Sequence, residues 1–386
     1  MPLSSSSPCL ALLALLLALT GVASSRSRAV GGGATTDGAA VPQGDDELLM
    51  MERFHGWMAE HGRSYAAAEE KRRRFEIYRR NVEFIEAANR DGRLTYTLGE
   101  NKFTDLTHEE FLATYTSRAR RPDPTTEEEM VITTRAGHVR EGASLPAAED
   151  DVPDRVNWTA QGKVTGIKYQ GKTCGSCWAF AAVATIESAY AIAKEVEPPV
   201  LSEQELIDCD DYDSGCLGGW PERAFRWLKR HGGLASASQY PPYDSKKHAC
   251  RKEKRLPHAV SLRDYKYVSK GSEEELMKAV AGQPVAVGFN SDDECFRFYK
   301  SGVYNGMCVR DGVFVGPCSN DWINHDLAIV GYVGKGNDQD KYWIAKNSWG
   351  EDWGLRGYVW LKKDVADSKG ICGIVATKPS YPVVSS

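Results

Sequence analysis

Gln170-Gly171-Lys172-Thr173-Cys174-Gly175-Ser176-Cys177-Trp178-Ala179-Phe180 is the stretch on which the reading of this chain turns. It sets a cysteine at the mouth of an apolar run, Trp178 to Ile186, that contains neither glycine nor proline. Such a run predicts a helix with Cys177 in its first turn. There the unpaired amides and the positive end of the helix dipole favour thiolate over thiol. A thiolate nucleophile needs a base close in space, a group that orients the base, and donors for an oxyanion.

Four histidines follow Cys177. His231 precedes Gly232-Gly233 at the end of a helix-like run, where a cation suits the C-terminus. His248 lies in a lysine-rich polar loop, and His258 follows Pro257 at a strand edge; both read as solvated residues. His325 differs, because it opens the apolar strand Leu327-Ala328-Ile329-Val330-Gly331 after a polar loop. That predicts an imidazole at a strand end facing a cleft. Asn347 follows a second strand, Tyr342-Trp343-Ile344-Ala345. Its side-chain oxygen, accepting from one imidazole nitrogen, would turn the other toward sulfur.

The Cys-Gly-Ser-Cys-Trp pattern resembles the papain-like cysteine peptidases, whose histidine and asparagine lie roughly 130–150 residues beyond the cysteine. His325 lies 148 residues beyond Cys177. Upstream, Glu70, Arg74, Tyr78, Asn81, Ile85 and Asn89 recur every three or four residues, so they share one helix face. They match the ERFNIN pattern of papain-family propeptides. Gly99, Asn101, Phe103 and Asp105 match the companion GxNxFxD pattern.

The resemblance implies an α+β chain of papain-like two-domain fold. A helical left domain would start with the Cys177 helix, a β-barrel-like right domain would carry His325 and Asn347, and a helical propeptide domain would precede both. It implies catalytic Cys177, His325 and Asn347, with Gln170 joining the Cys177 backbone N–H as oxyanion donor and Trp349 shielding the His–Asn bond. Gly218 and Gly219 would pair with an extended peptide. Trp220 and Pro221 would wall the pocket for the second residue upstream of the cut, with Gly288, Ile323, Asp326 and Thr377 as its other candidates. No metal and no organic cofactor is implied.

Three departures from the family pattern stand out. Lys172-Thr173 makes the Gln170–Cys177 spacing one residue longer. Asp326 replaces a small residue after the histidine, where a carboxylate can raise the imidazole pKa or reshape the pocket. Gly302-Val303-Tyr304-Asn305-Gly306-Met307-Cys308 is echoed by Gly312-Val313-Phe314-Val315-Gly316-Pro317-Cys318, which implies a short insertion.

Cys9 to Val22 is an apolar stretch of signal-peptide length followed by Ala23, Ser24 and Ser25. Residues 1–24 are therefore expected to be a cleaved signal and 25–46 disordered. The inhibitory propeptide is expected over 47–116, a cleavable linker over 117–151 and the catalytic domain over 152–386. Of ten cysteines, all but Cys9 lie beyond residue 170. An odd number in an oxidising compartment implies one free thiol, as Cys177 requires. By family position Cys174 pairs with Cys216 and Cys209 with Cys250. The remaining bonds are expected as Cys318–Cys372 and Cys295–Cys308, with Cys308–Cys372 and Cys295–Cys318 as the alternative.

A net charge of −5 without a basic face argues against nucleic acid, and no apolar run after the signal is long enough for a membrane anchor. The expected product is a monomeric cysteine endopeptidase made as a zymogen in the secretory pathway, bound for vacuole, lysosome or exterior. It would take polypeptide substrates, its own propeptide and cystatin-type inhibitors as partners, and carry a glycan at Asn157. Two rivals differ in kind: a papain-like storage or inhibitor protein without activity, and a thiol–disulfide oxidoreductase cycling Cys174 with Cys177.

Overall fold

The computed structural model describes residues 43–117, 152–251, 257–320, 322–334 and 340–385. The expected signal, most of 25–46 and nearly all of the expected linker lie outside the described residues. Leu48–Ser386 forms one unit, and of the unit Met1–Glu47 only the start of a helix is described.

That helix, α1, spans Gln43–Glu60 and so starts within the stretch expected to be disordered. Asp45 and Asp46 in its first turn meet the unpaired amides there, a favourable placement that composition alone did not reveal. Helix α2 (Ala68–Asp91) ends at Gly92, whose φ of 73° closes the helix in the left-handed region. Phe54, Trp57, Phe75, Tyr78 and Val82 form the buried seam between α1 and α2.

The shared face of α2 does not mainly pair along itself; it grips the segment that follows. Asn81 Nδ2 donates to the carbonyls of Thr104 and Leu106, and Asn89 exchanges two hydrogen bonds with Leu98. Arg74 joins Glu70 of its own helix to Glu110 and to the Asp105 carbonyl. Glu110 also closes a capping box with Thr107 at the start of α3 (His108–Tyr115). Arg74→Ala should therefore cost the expected propeptide about 1 kcal/mol, since Arg73 still holds Glu70 and Glu110 while the bond to the Asp105 carbonyl is lost. Thermal unfolding of the precursor checks this; an unchanged midpoint would show the network to be ornamental.

In the catalytic part, α4 (Cys177–Ala193) is buried nearly all round. On one side it meets the helical core, where Trp178, Val183 and Ile186 pack with Leu201, Leu206, Phe225 and Leu228. On the other it meets β8 (His325–Val333), through Ala184 against Ala328 and Val330. Alternation along β8 sends Leu327 and Ile329 the opposite way, into the aromatic right-domain core with Trp343, Trp349 and Trp353. This two-sided burial explains why β8 is apolar without interruption.

Around β8 the described residues form a nine-stranded sheet. β4 (Val285–Phe289) and β9 (Tyr342–Lys346) flank β8, and β2 (Arg155–Asn157) also pairs with it. β11 (Ser380–Val384) and β3 (Leu262–Tyr267) carry the sheet on past β4. At the other end β10 (Tyr358–Lys362) leads to β5 (Tyr299–Tyr304). The last strand, β1 (Tyr96–Leu98), belongs to the expected propeptide and pairs antiparallel with β5. The propeptide thus completes a sheet edge of the catalytic part.

The echoed repeat forms a hairpin, β6 (Cys308–Arg310) and β7 (Val313–Val315). Its turn is Asp311-Gly312, both with positive φ, the conformation a two-residue hairpin loop demands. Among the described residues four disulfides are present: Cys174–Cys216, Cys209–Cys250, Cys295–Cys308 and Cys318–Cys372. Cys177 is free and buried.

Candidate active site

α4 begins at Cys177, β8 begins at His325, and β9 ends one residue before Asn347. Because β8 packs on α4 and Ala328 pairs with Lys346, the three residues come from neighbouring element ends. His325 Nε2 lies 2.8 Å from Asn347 Oδ1. Its other nitrogen, Nδ1, is buried without a hydrogen-bond partner among the described residues. The Trp349 ring lies over the imidazole, 4.7 Å between centroids, and is itself fully buried.

The residue before Asn347 is anchored from below. Lys346 Nζ donates to the carbonyl and hydroxyl of Thr165, whose hydroxyl donates to Glu187 of α4. Lys168 bridges Glu187 and Glu203 at 2.7 and 2.5 Å. This buried cluster ties the strand carrying Asn347 to the helix carrying Cys177. No local sequence pattern marks it, since its members are scattered through the chain and match no motif.

Gln170 is equally fixed, despite the extra residue in its loop. Its Oε1 accepts from Ser348 Oγ at 2.6 Å, and its Nε2 donates to the Cys174 carbonyl at 3.1 Å and the Tyr115 carbonyl at 3.3 Å. Tyr115 lies in the expected propeptide, so one of its carbonyls occupies the amide expected to serve an oxyanion. Two residues on, Ser117 N–H donates to the Asn324 carbonyl beside His325. The Thr116 carbonyl crowds Gly175, where an added Cβ would sit 2.9 Å away. Phe103 and Phe111 meet Trp349 edge-on at 5.6 and 5.2 Å.

Under this cover the electrostatics reverse the expected activation of the thiol. Burial pushes the Cys177 thiol well above its ordinary range, with the Asp326 carboxylate adding to the effect; the N–H groups of Asp326, Trp178 and Cys177 itself oppose it and lose. Burial lowers His325 to about 4, against the Asn347 hydrogen bond. In an open site the helix dipole favours thiolate; in this covered one desolvation is the larger effect. The precursor therefore holds neutral thiol and neutral imidazole.

The substrate-contact candidates fall in separate places. Gly218 has φ 127°, a glycine conformation. A Cβ at Gly219 would come within 2.7 Å of both the Trp178 ring and Asp213. Trp220 caps the helix Pro221–His231, with Pro221 at its first position. Gly288 and Asp326 are ladder partners in β4 and β8. Asp326 is buried and lines a small cavity with Phe180, Ala184 and Lys346, toward α4. Ile323 reaches the Gly373 position, and Thr377 lies in the segment before β11. Asn157 Oδ1 accepts the Ala160 N–H. Cys174 is bonded to Cys216, so it is not the redox partner of Cys177.

Comparison with known proteins shows the family. The family model described as papain family cysteine protease matches residues 152–383, and that of the cathepsin propeptide inhibitor domain matches 54–111. The chain is 44% identical over 322 residues to the cysteine endopeptidase RepA of Oryza sativa subsp. japonica, covering 82% of this chain and 79% of that one. It is 41% identical over 343 residues to a senescence-specific cysteine protease of Arabidopsis thaliana, covering 88% and 92%. Among solved structures, a recombinant stem bromelain precursor superposes with a TM-score of 0.72 at 38% identity, covering 88% of this chain and all of that one.

Proposed function

We propose, from the premise that this chain belongs to the papain family of cysteine proteases and is made as a zymogen, that Cys177, His325, Asn347 and Gln170 carry its reaction. What supports the reading above all is the His325–Asn347 hydrogen bond, which leaves Nδ1 as the free nitrogen of the imidazole. Once the cover leaves, water returns, the thiol loses its proton to His325, and the helix-end amides hold the thiolate. The sulfur attacks the scissile carbonyl, and the oxyanion takes hydrogen bonds from Gln170 Nε2 and the Cys177 N–H. Imidazolium then protonates the departing amine, leaving a thioester that water hydrolyses with His325 as base.

Gln170→Ala should lower kcat by about 10²–10³-fold, the usual cost of one oxyanion donor. Measurement on a dipeptidyl substrate checks it, and a loss confined to KM would assign Gln170 to binding instead. An epoxide-bearing peptide should label Cys177 stoichiometrically in processed enzyme; a non-catalytic storage or inhibitor protein would stay unmodified.

The chain's own propeptide is its inhibitor, and we place Gly218, Gly219, Trp220, Pro221, Gly288, Ile323, Asp326, Thr377 and Trp349 in or around the substrate cleft. A carboxylate at Asp326 would favour a basic residue two positions upstream of the cut. Asp326→Ala should then lower the ratio of Arg-Arg to Phe-Arg cleavage by about tenfold, one charge-assisted bond; an unchanged ratio removes this role. Four disulfides suit the secretory pathway. Within it we assign a vacuolar or extracellular destination, a monomeric state, cystatin-type inhibitors as partners and a glycan at Asn157.

A further inference from the structure

Behind the proposed peptide-binding glycines lie two aspartates that the catalytic mechanism does not use. Asp210 and Asp213 are 1% and 7% exposed, and their carboxyls lie within hydrogen-bonding reach of each other. Asp210 Oδ1 accepts the Tyr212 N–H at 2.8 Å, and Asp213 Oδ1 accepts the Trp220 N–H at 3.2 Å. The Oδ2 atom of each is buried and receives no N–H or O–H from the described residues. Carboxylate oxygens only accept, so two of them in contact away from water require a proton between them.

The pair touches the substrate edge directly. Asp213 Cγ stands where it would lie 2.7 Å from a Cβ on Gly219, so the carboxyl packs against that glycine's backbone. It also holds the N–H of Trp220, while Ser214 N–H binds the Gly218 carbonyl at 2.9 Å. Gly218 to Trp220 is thus suspended from the Asp210–Ser214 loop. The other charged groups facing the pair are Asp211, Glu222 and Arg223; the neighbouring α4 contributes the neutral Trp178.

We propose that Asp210 and Asp213 share one proton, and that this protonated pair holds Gly218–Trp220 in its peptide-binding shape, so that losing the proton weakens substrate binding without touching the reacting groups. Asp213 and Asp210 are positioning residues in this arrangement. Both carboxyls stand above their ordinary range, chiefly through burial and then, for Asp213, through the charge of Asp210, with Arg223 opposing. With the proton gone, two buried like charges meet, offset only in part by Arg223, and the loop must open to admit water. The inference rests on Gly218 and Gly219 being the peptide-binding edge.

The test uses enzyme released from the full-length precursor, read by infrared difference spectroscopy and by separate KM and kcat profiles from pH 5 to 9. A protonated-carboxyl band should persist at pH 7 and disappear in Asp213→Asn. In the parent enzyme KM should rise at the alkaline end, on the order of tenfold for one lost buried hydrogen bond, with kcat governed by the catalytic groups alone. Asp213→Asn keeps the acceptor for Trp220 and gives Asp210 a permanent donor, so its KM should lose that rise. Asp210→Asn should behave alike and serves if the first variant folds poorly. Absence of the band at pH 7, or an equal KM rise in both variants, overturns the shared proton. A band with a flat parental KM overturns the positioning role alone and leaves Cys177 and His325, judged by kcat, untouched.

Discussion

Cys177→Ala and His325→Ala are each expected to abolish peptide hydrolysis, by about 10⁴-fold or more in kcat, because nucleophile and base act as one unit and neither works alone. Asn347→Ala should leave a measurable fraction: it removes the partner 2.8 Å from His325 Nε2 but neither reacting group. Each variant has to be freed from its propeptide by added parent enzyme and then purified away from it, since a dead enzyme cannot process itself. Turnover is then read on a dipeptidyl substrate. Normal turnover by Cys177→Ala would end the assignment of the nucleophile. Equal losses for Asn347→Ala and His325→Ala would mean that Asn347 does more than orient the ring.

The second large effect is acid release of the propeptide, and the covered site itself supplies part of the drive. His325 has a value of about 4 under the cover against an ordinary 6.5, with burial as the cause. A histidine depressed in the closed state stabilises closure fully above 6.5, and that contribution is withdrawn as pH falls from 6.5 to about 4. Over that window the withdrawal amounts to about 3 kcal/mol, or on the order of 10²-fold in the open fraction. Glu110 follows at lower pH. Its arginine partners, opposed by partial burial, hold it at about 2 against an ordinary 4.5, so the support it gives the propeptide fold is lost only below 4.5.

Opening should therefore precede melting. In a Cys177→Ala precursor cut by added parent enzyme, the cleavage rate should climb between pH 6.5 and 4 while the helical circular dichroism stays intact to about 4.5. A precursor that also carries His325→Ala should lack most of that climb. The ratio of the two rates cancels the pH profile of the added enzyme; a ratio constant with pH would remove His325 from the switch.

Much of the site was legible in the sequence because its residues are punctuated by local rules. Cys177 opens a helix, His325 and Asn347 stand at strand ends, and Gly218 occupies a conformation that only glycine adopts easily. The propeptide motifs were legible as well, through their resemblance to a family's pattern and order rather than through the helical spacing itself. What that face does was not. Its asparagines bind backbone carbonyls of the next segment, and carbonyls leave no mark in a sequence.

By itself the sequence, through motifs that resemble a family's, indicated the class of chemistry, an expected nucleophile with its base and orienter, an α+β organisation and a helical inhibitory segment. Each rests on residue type, spacing or periodicity, which are local properties. Only the tertiary structure decided the rest. It decided that β1 joins the catalytic sheet, that the Tyr115 carbonyl takes the Gln170 amide, and that Asp326 lies buried toward the catalytic helix. It also decided the protonation of the site, turning a helix-end thiolate into a buried thiol. Burial is the sum of contacts from segments far apart in the chain, and the charge of a buried group follows the water it has lost rather than the residues beside it in sequence.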